Sequence, residues 1–345
     1  MSPDDPADEK TVSRRRALPR VLRWLVRGVL ALLVLAVLIV AVLWLERDRL
    51  AGNYLDDLLT QNGISATYRI ESIEPDRQVL RDIVVGDPAA PDMTIERAEV
   101  RLIARIGLPQ VQRITLSGLR LWGRVVDGQP SFGSLDPLLF TDSTEPFALP
   151  ELDVRLEDAR ALIEGDFGPI ALRVNGGGYL PNGFDAQVAA IAPNLRLGGC
   201  SAAQATLYGR LEVANQRPGF AGPLRFAGVS CPDAGVQLGA GGAALDAIAD
   251  ADLSGFRSEL DLTAGNAVMP GALAAALAGR GEATYRDGTL DSRFTLDGRA
   301  VEVGGVRLAS ADFAGTLRST QGFAEVQLDG DIGGAGLRLG PAFDQ

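Results

Sequence analysis

Apolar and polar residues alternate along most of this chain. At Ile64, Ala66, Tyr68 and Ile70 the apolar side chains fall on every second position, with Ser65, Thr67, Arg69 and Glu71 between them. The same period returns at Leu152, Val154 and Leu156, and at Ile170, Leu172 and Val174. A period of two sends successive side chains to opposite faces of a strand, so each run predicts a strand with one dry and one wet face. Further strands are predicted over residues 98–106, 114–126, 184–190, 205–213, 290–296, 301–308, 312–317 and 323–328. Asp-Gly pairs at Asp127-Gly128, Asp287-Gly288, Asp297-Gly298 and Asp329-Gly330 read as tight hairpin turns, so the sheet is predicted to be antiparallel. The single helix predicted among these strands is the alanine-rich run 272–278, too short to cover a sheet.

The pattern predicts a mainly β protein, and two arrangements satisfy it. A compact sandwich or barrel would bury the dry faces against each other. An elongated, curled antiparallel sheet, a β-groove, would leave them lining a trough. The scarcity of large aromatics and the wealth of Ala and Gly fill a closed core poorly. One-sided alternation for nearly 300 residues without a helix-rich boundary also fits the trough. With about 13 residues per strand and turn, the body would hold on the order of 22 strands, stacked at about 4.8 Å into a trough roughly 100 Å long. The proline-rich stretch near residues 135–150 is the predicted break.

The alternation is absent at the N-terminus. Residues 28–45 run for 18 positions without a charged side chain, behind Arg14, Arg15, Arg16, Arg20, Arg23 and Arg27. With Val21, Leu22, Leu25 and Val26 added, and Trp24 and Trp44 near the interfaces, the run is long enough to cross a bilayer core of about 30 Å. No small-residue cleavage pattern follows it, which favours an uncleaved anchor over a signal peptide. The expected division is a cytoplasmic tail over 1–16, a transmembrane signal anchor over 17–45, a juxtamembrane amphipathic helix over 46–63 and a periplasmic β-groove domain over 64–345. The amphipathic helix rests on Leu50, Tyr54, Leu55, Leu58 and Leu59, with Asn62-Gly63 as its stop.

Charge sharpens that topology. The net charge is −11, yet residues 1–50 carry nine cations against six acids, so the head is +3 and the body −14. The cationic flank places the N-terminus in the cytoplasm and everything after Leu45 across the membrane. An acidic body has no generic reason to hold phosphate backbones, so no nucleic acid partner is expected. Histidine is absent, which removes Ser-His-Asp and Cys-His nucleophiles and His metal ligands from this chain. No enzyme activity, catalytic residue, metal site or cofactor is predicted.

Cys200 and Cys231 are the only cysteines, and an oxidising periplasm predicts a structural disulfide between them, with two separate buried thiols as the alternative. The acids Asp246, Asp250 and Asp252, and the pair Glu157-Asp158, lack the spacing of a calcium loop and read as solvated strand faces. Gly176-Gly177-Gly178 and Gly333-Gly334 lack the strand-to-helix setting of a phosphate cradle and read as turns or bulges. The functional candidate is the dry face itself. It is composed of Ile64, Ala66, Tyr68 and Ile70; Leu152, Val154 and Leu156; Ile170, Leu172 and Val174; Leu207, Leu211 and Val213; Phe294 and Leu296; Phe313 and Leu317; and Val326 and Leu328.

Residues 116–136, reading LSGLRLWGRVVDGQPSFGSLD, together with the anchor, the Asn62-Gly63 stop, Gly198-Gly199-Cys200 and the ATLYGRL segment at 205–211, resemble the N-terminal part of YdbH-type proteins of the AsmA-like group. The resemblance implies an inner-membrane-anchored bridge whose repeating β-groove offers phospholipids an apolar path toward the outer membrane. It also implies an outer-membrane or periplasmic protein at the distal end. Some descriptions of the group mention dicarboxylate transport, for which the sequence shows no polar pocket. Proteins of this group are longer, and strand patterning is still in progress at Gln345, as in a fragment or a short relative that needs a partner. The competing expectation is an envelope assembly or scaffold protein with a sealed core that binds a protein partner through exposed strand edges.

Overall fold

The computed structural model describes residues 64–74, 76–104, 109–126, 128–139, 148–197, 199–320 and 325–337. The expected tail, anchor and juxtamembrane helix lie outside the described residues. Among the described residues no helix is long and apolar enough to cross a membrane.

The alternating runs form one large curled sheet of 19 strands. It opens with β1 (Ala66–Ile73), β2 (Arg77–Asp87), β3 (Ala90–Ala104), β4 (Pro109–Ser117), β5 (Arg120–Val126) and β6 (Gln129–Ser131). After a 3₁₀ turn at Gly133–Leu135 and one helical turn at Asp136–Leu139, it resumes with β7 (Asp153–Glu164), β8 (Ile170–Tyr179), β9 (Phe184–Leu197) and β10 (Cys200–Ala214). Next come β11 (Arg217–Phe226), β12 (Gly228–Cys231), β13 (Val236–Leu238) and β14 (Gly241–Ala249). Long strands complete it: β15 (Gly255–Met269), β16 (Ala272–Arg286), β17 (Thr289–Val303), β18 (Val306–Thr320) and β19 (Glu325–Ala335).

Sequential strands pair as antiparallel neighbours almost throughout, but the prediction of a wholly antiparallel sheet needs correction. β7 runs parallel to both β4 and β5, pairing Ile114 with Val154 and Leu121 with Ala161. The reason is the crossover between Val126 and Asp153. A parallel neighbour needs a connection of a dozen or more residues, and this is the one stretch that supplies it.

Other expectations change as well. The run 272–278 is the start of strand β16, not a helix. Alanine favours helix only weakly, and here Ala274 is paired with Ala267 on one side and Val301 on the other. Residues 114–126 are two strands, split where Gly118 and Leu119 turn their backbone to Glu157 and Arg160 of β7. Residues 301–308 hold a turn at Gly304-Gly305, where both φ values are positive. Of the Asp-Gly pairs, Asp287-Gly288 is a hairpin turn with both residues at positive φ, and Gly128 lies in the turn after β5. Asp297-Gly298 and Asp329-Gly330 instead lie inside β17 and β19. At Gly330 the missing side chain makes room for a ring, since a Cβ there would stand 2.7 Å from Phe313 Cζ.

Positive φ marks a bulge at Asp158 in β7, where the register shifts, whereas Gln204 in β10, Asn266 in β15 and Ala300 in β17 take positive φ with pairing kept one for one on either side. Three of the last strands share a crease. The pairs Gly265 with Ala276 and Ala267 with Ala274 bracket Asn266, and Ala276 with Arg299 and Ala274 with Val301 bracket Ala300. Across this line the buried positions change parity, from Ala264 to Ala267, from Ala274 to Leu277 and from Gly298 to Val301. Ala267, Ala274, Leu277 and Val301 form a small core there, with Leu296 and Leu308 against it.

The Gly176-Gly177-Gly178 run lies within β8, where neighbouring backbones leave no room for side chains. A Cβ on Gly176 would overlap the Asp185 carbonyl and Ala186 Cα, whereas one on Gly281 would reach only ordinary contact, 3.4 Å from Phe294 Cβ. Gly176→Val should therefore cost about 3 kcal/mol in denaturant unfolding, and Gly281→Ala about 0.5 kcal/mol or less. Equal midpoints for the two variants would contradict this packing.

Candidate functional site

Register converts the alternation into continuous rows. Ala66, Val85, Met93, Leu121 and Ala161 are successive cross-strand partners from β1 to β7. From Ala161 the row continues through Leu172, Ala190, Leu207, Leu224 and Ala243. It ends through Leu262, Gly279, Leu296, Phe313 and Ile332. None of these 15 residues has a polar side chain. A second row on the same face passes through Leu80, Ala98, Leu116, Leu156, Gly176, Ala186, Leu211, Phe220 and Ala247. It continues through Ser258, Ala283, Ser292, Leu317 and Leu328, and two hydroxyls are its only polar groups.

The sheet curls around this face. Alanine provides a like-for-like gauge: Ala186, Ala243, Ala264 and Ala274 on the apolar face are 1% to 7% exposed, whereas Ala244, Ala278 and Ala314 on the other face are exposed. Ring contacts also fall on the apolar face, with Phe256 stacked on Tyr285 and Phe294 tilted against Phe313, each at 5.6 Å between centroids.

The singled-out residues sort onto this one face. Leu172, Leu207, Leu296 and Phe313 belong to the first row, and Leu156, Leu211, Leu317 and Leu328 to the second. Val154 pairs with Ile114, Val174 with Val188, Ile170 with Ile163, and Val213 with Phe184. Phe294 lies between Gly281 and Gly315, Val326 faces Ser319, and Ile70 faces Leu80. Tyr68 packs on the cluster of Leu80, Ile95 and Ala98, while Ile64 and Leu152 lie just before β1 and β7 and are buried. Sequence reasoning missed Val85, Met93, Leu121, Leu224 and Leu262. The bulge at Asp82 scrambles the period in β2, and Pro218 and Pro223 disguise β11.

The opposite face is a lattice of ion pairs. Arg113 holds Asp153 at 2.7 Å, Arg155 holds Glu157 at 3.2 Å, and Arg210 pairs with Asp185. Asp158, at its bulge, takes Arg120, Arg160 and Arg173. Asp250 takes Arg217 and Arg286, and Asp252 accepts from Ser254, so these acids serve the strand face.

Glu99 is the most enclosed acid of this lattice, with Arg77 donating at 2.7 Å and Arg101 at 3.0 Å. The Arg77 hydrogen bond, opposed by partial burial and supported by Arg101, lowers its pKa from 4.5 to about 2. A depressed carboxylate stabilises the fold above the unfolded value and loses that contribution as pH falls through the folded value. Glu99→Gln should thus cost on the order of 2 kcal/mol at pH 7, with the exposure of its arginines discounted. The gap to the parent should close between pH 4.5 and about 2. A gap that persists below that window in denaturant titrations would contradict the assignment.

Cys200 and Cys231 are bonded, with Cα atoms 4.1 Å apart. They clip β10 to the four-residue β12, close to Gln204 with its positive φ.

A family model described as YdbH-like, intermembrane phospholipid transport protein YdbH, matches residues 35–341. The chain belongs to the YdbH-like family. No curated protein and no solved structure gives a significant match. The YdbH-like family is one of lipid transport proteins. Membership makes chemical sense of the two faces: acyl chains have only dispersion and water exclusion to offer a protein, and the YdbH-like sheet presents one row with no polar side chain and a second with only two hydroxyls to desolvate.

Proposed function

We propose that this chain moves phospholipids between the inner and outer membranes of a bacterial envelope along the apolar face of its sheet, without covalent chemistry. The observation that carries the reading is the apolar row of cross-strand partners, which from Leu172 to Ile332 gives an acyl chain a dry path across the sheet. Each methylene kept from water is worth about 0.8 kcal/mol, so a continuous row flattens the barrier that an aqueous gap would raise. Head groups remain in water at the open side.

The anchor over 17–45 would hold the N-terminal end in the inner membrane and leave the body periplasmic. The cationic flank supports that orientation, and the disulfide suits an oxidising compartment. The test is native mass spectrometry of the detergent-extracted full chain. Phospholipid retained on the protein is the expected result, and a lipid-free chain in a stable protein complex would overturn the reading.

The scaffold alternative has one observation in its favour. β19 pairs only with β18 among the described residues, and Val326, Leu328 and Ile332 are 58%, 56% and 79% exposed. This edge could take a strand from a distal outer-membrane or periplasmic protein, and such a strand would also extend the apolar rows.

A further inference from the structure

The apolar face is not equally open along its length. At its first strands it is filled by the chain itself. Phe132 and Leu135, from the turn that follows β6, pack on Ile64, Ala66, Val85, Met93 and Leu121, and Leu135 is only 2% exposed. The Phe132 ring reaches β5 as well, since a Cβ on Gly123 would stand 2.7 Å from its Cε1. Farther along the row Leu172, Leu207, Leu224, Leu262 and Phe313 are half-exposed, as Met93 and Leu121 are, but unlike those two they are not packed against a buried cluster.

The cover is fastened by polar contacts at its margin. Ser134 donates to Asp92 Oδ2 from its backbone N at 2.8 Å and from its Oγ at 2.6 Å. Asp136 accepts from Ser131 Oγ at 2.6 Å and from the Phe132 backbone N at 2.5 Å. Both carboxylates therefore hold the backbone that presents Phe132 and Leu135 to the sheet.

Resting on the lipid reading above, we infer that acyl chains enter the groove from its side, at β7 and β8, and not through the β1 end. Phe132 and Leu135 occupy the place that acyl chains take farther along. A lipid reaching Met93 or Leu121 would have to displace two packed apolar side chains and the Asp92 hydrogen bonds.

The experiment uses the full chain in membranes containing radiolabelled phospholipid, with a small diazirine side chain placed singly at Met93, Leu121, Leu172 or Leu207. Ultraviolet light should produce lipid adducts at Leu172 and Leu207, and about tenfold fewer at Met93 and Leu121, since apolar side chains already fill that space. Leu135→Ala in the Met93 probe chain should raise its adduct toward the downstream level. Adducts at Met93 and Leu121 equal to those at Leu172 in the otherwise unaltered chain would overturn the side entrance while leaving lipid transport intact, whether or not the Leu135 variant folds. No adduct at any of the four positions would overturn lipid transport itself, and the entrance with it.

Discussion

Replacing Leu207 by Asp should nearly stop phospholipid transfer while the chain still folds and reaches its membrane. Leu207 lies at the middle of the first row, between Ala190 and Leu224. Its side chain is half-exposed, so a carboxylate there keeps access to water and the paired backbone of β10 on both sides is retained. An acyl chain passing over it would instead lose contact with about three methylenes' worth of dry surface, about 2.4 kcal/mol, or roughly fiftyfold in crossing rate. The neighbouring Tyr208 supplies the control. It points to the polar face, is 57% exposed and donates to Gln187. Tyr208→Asp should leave transfer unchanged. Equal transfer by the Leu207 and Tyr208 variants, measured with labelled phospholipid passing between the two membranes, would remove the apolar row from the mechanism.

The second large effect concerns the disulfide. Cys200 and Cys231 are 31 residues apart in sequence. Closing a loop of that size withdraws chain entropy from the unfolded state worth roughly 3 to 4 kcal/mol, so the double variant Cys200→Ser, Cys231→Ser should lose about that much in equilibrium unfolding. The loss should be felt locally too. β12 and β13 are short, three to four residues each, and regular strand geometry breaks off at Ala227 between β11 and β12 and at Gly239-Ala240 between β13 and β14. Hydrogen exchange should accelerate at Gly228–Cys231 and Val236–Leu238 before it does in β15 or β16. A loss below about 1 kcal/mol with unchanged exchange would show that strand pairing alone holds this corner.

Legibility in the sequence varied with local regularity. β8 and β17 were readable because nothing interrupts the alternation of Ile170, Leu172 and Val174 or of Phe294 and Leu296. β2 was not, because Asp82 adopts positive φ and an extra residue shifts the pattern to the other face. The alanines of β16 suggested a helix, since propensity is a local quantity and the two flanking strands that override it are contributed from elsewhere in the chain. The cover formed by Phe132 and Leu135 left only a proline-rich interruption as its trace. Nothing in FGSLDP states which surface the two apolar side chains meet.

By itself the sequence determined the class of the protein and the chemistry of its faces. A two-residue period is a property of neighbouring positions, so it specifies strands with one dry side wherever it persists, and it identified residues that fall together on the apolar face. The absence of histidine and the uneven charge are likewise fully contained in composition. Only the tertiary structure decided how those faces join. The parallel placement of β7, the crease through Asn266 and Ala300, the unbroken row from Ala66 to Ile332 and the filling of its first part all depend on register between segments far apart in the chain. Register is set by backbone pairing and by where bulges fall, and a shift of one residue would send every apolar side chain of a strand to the opposite face.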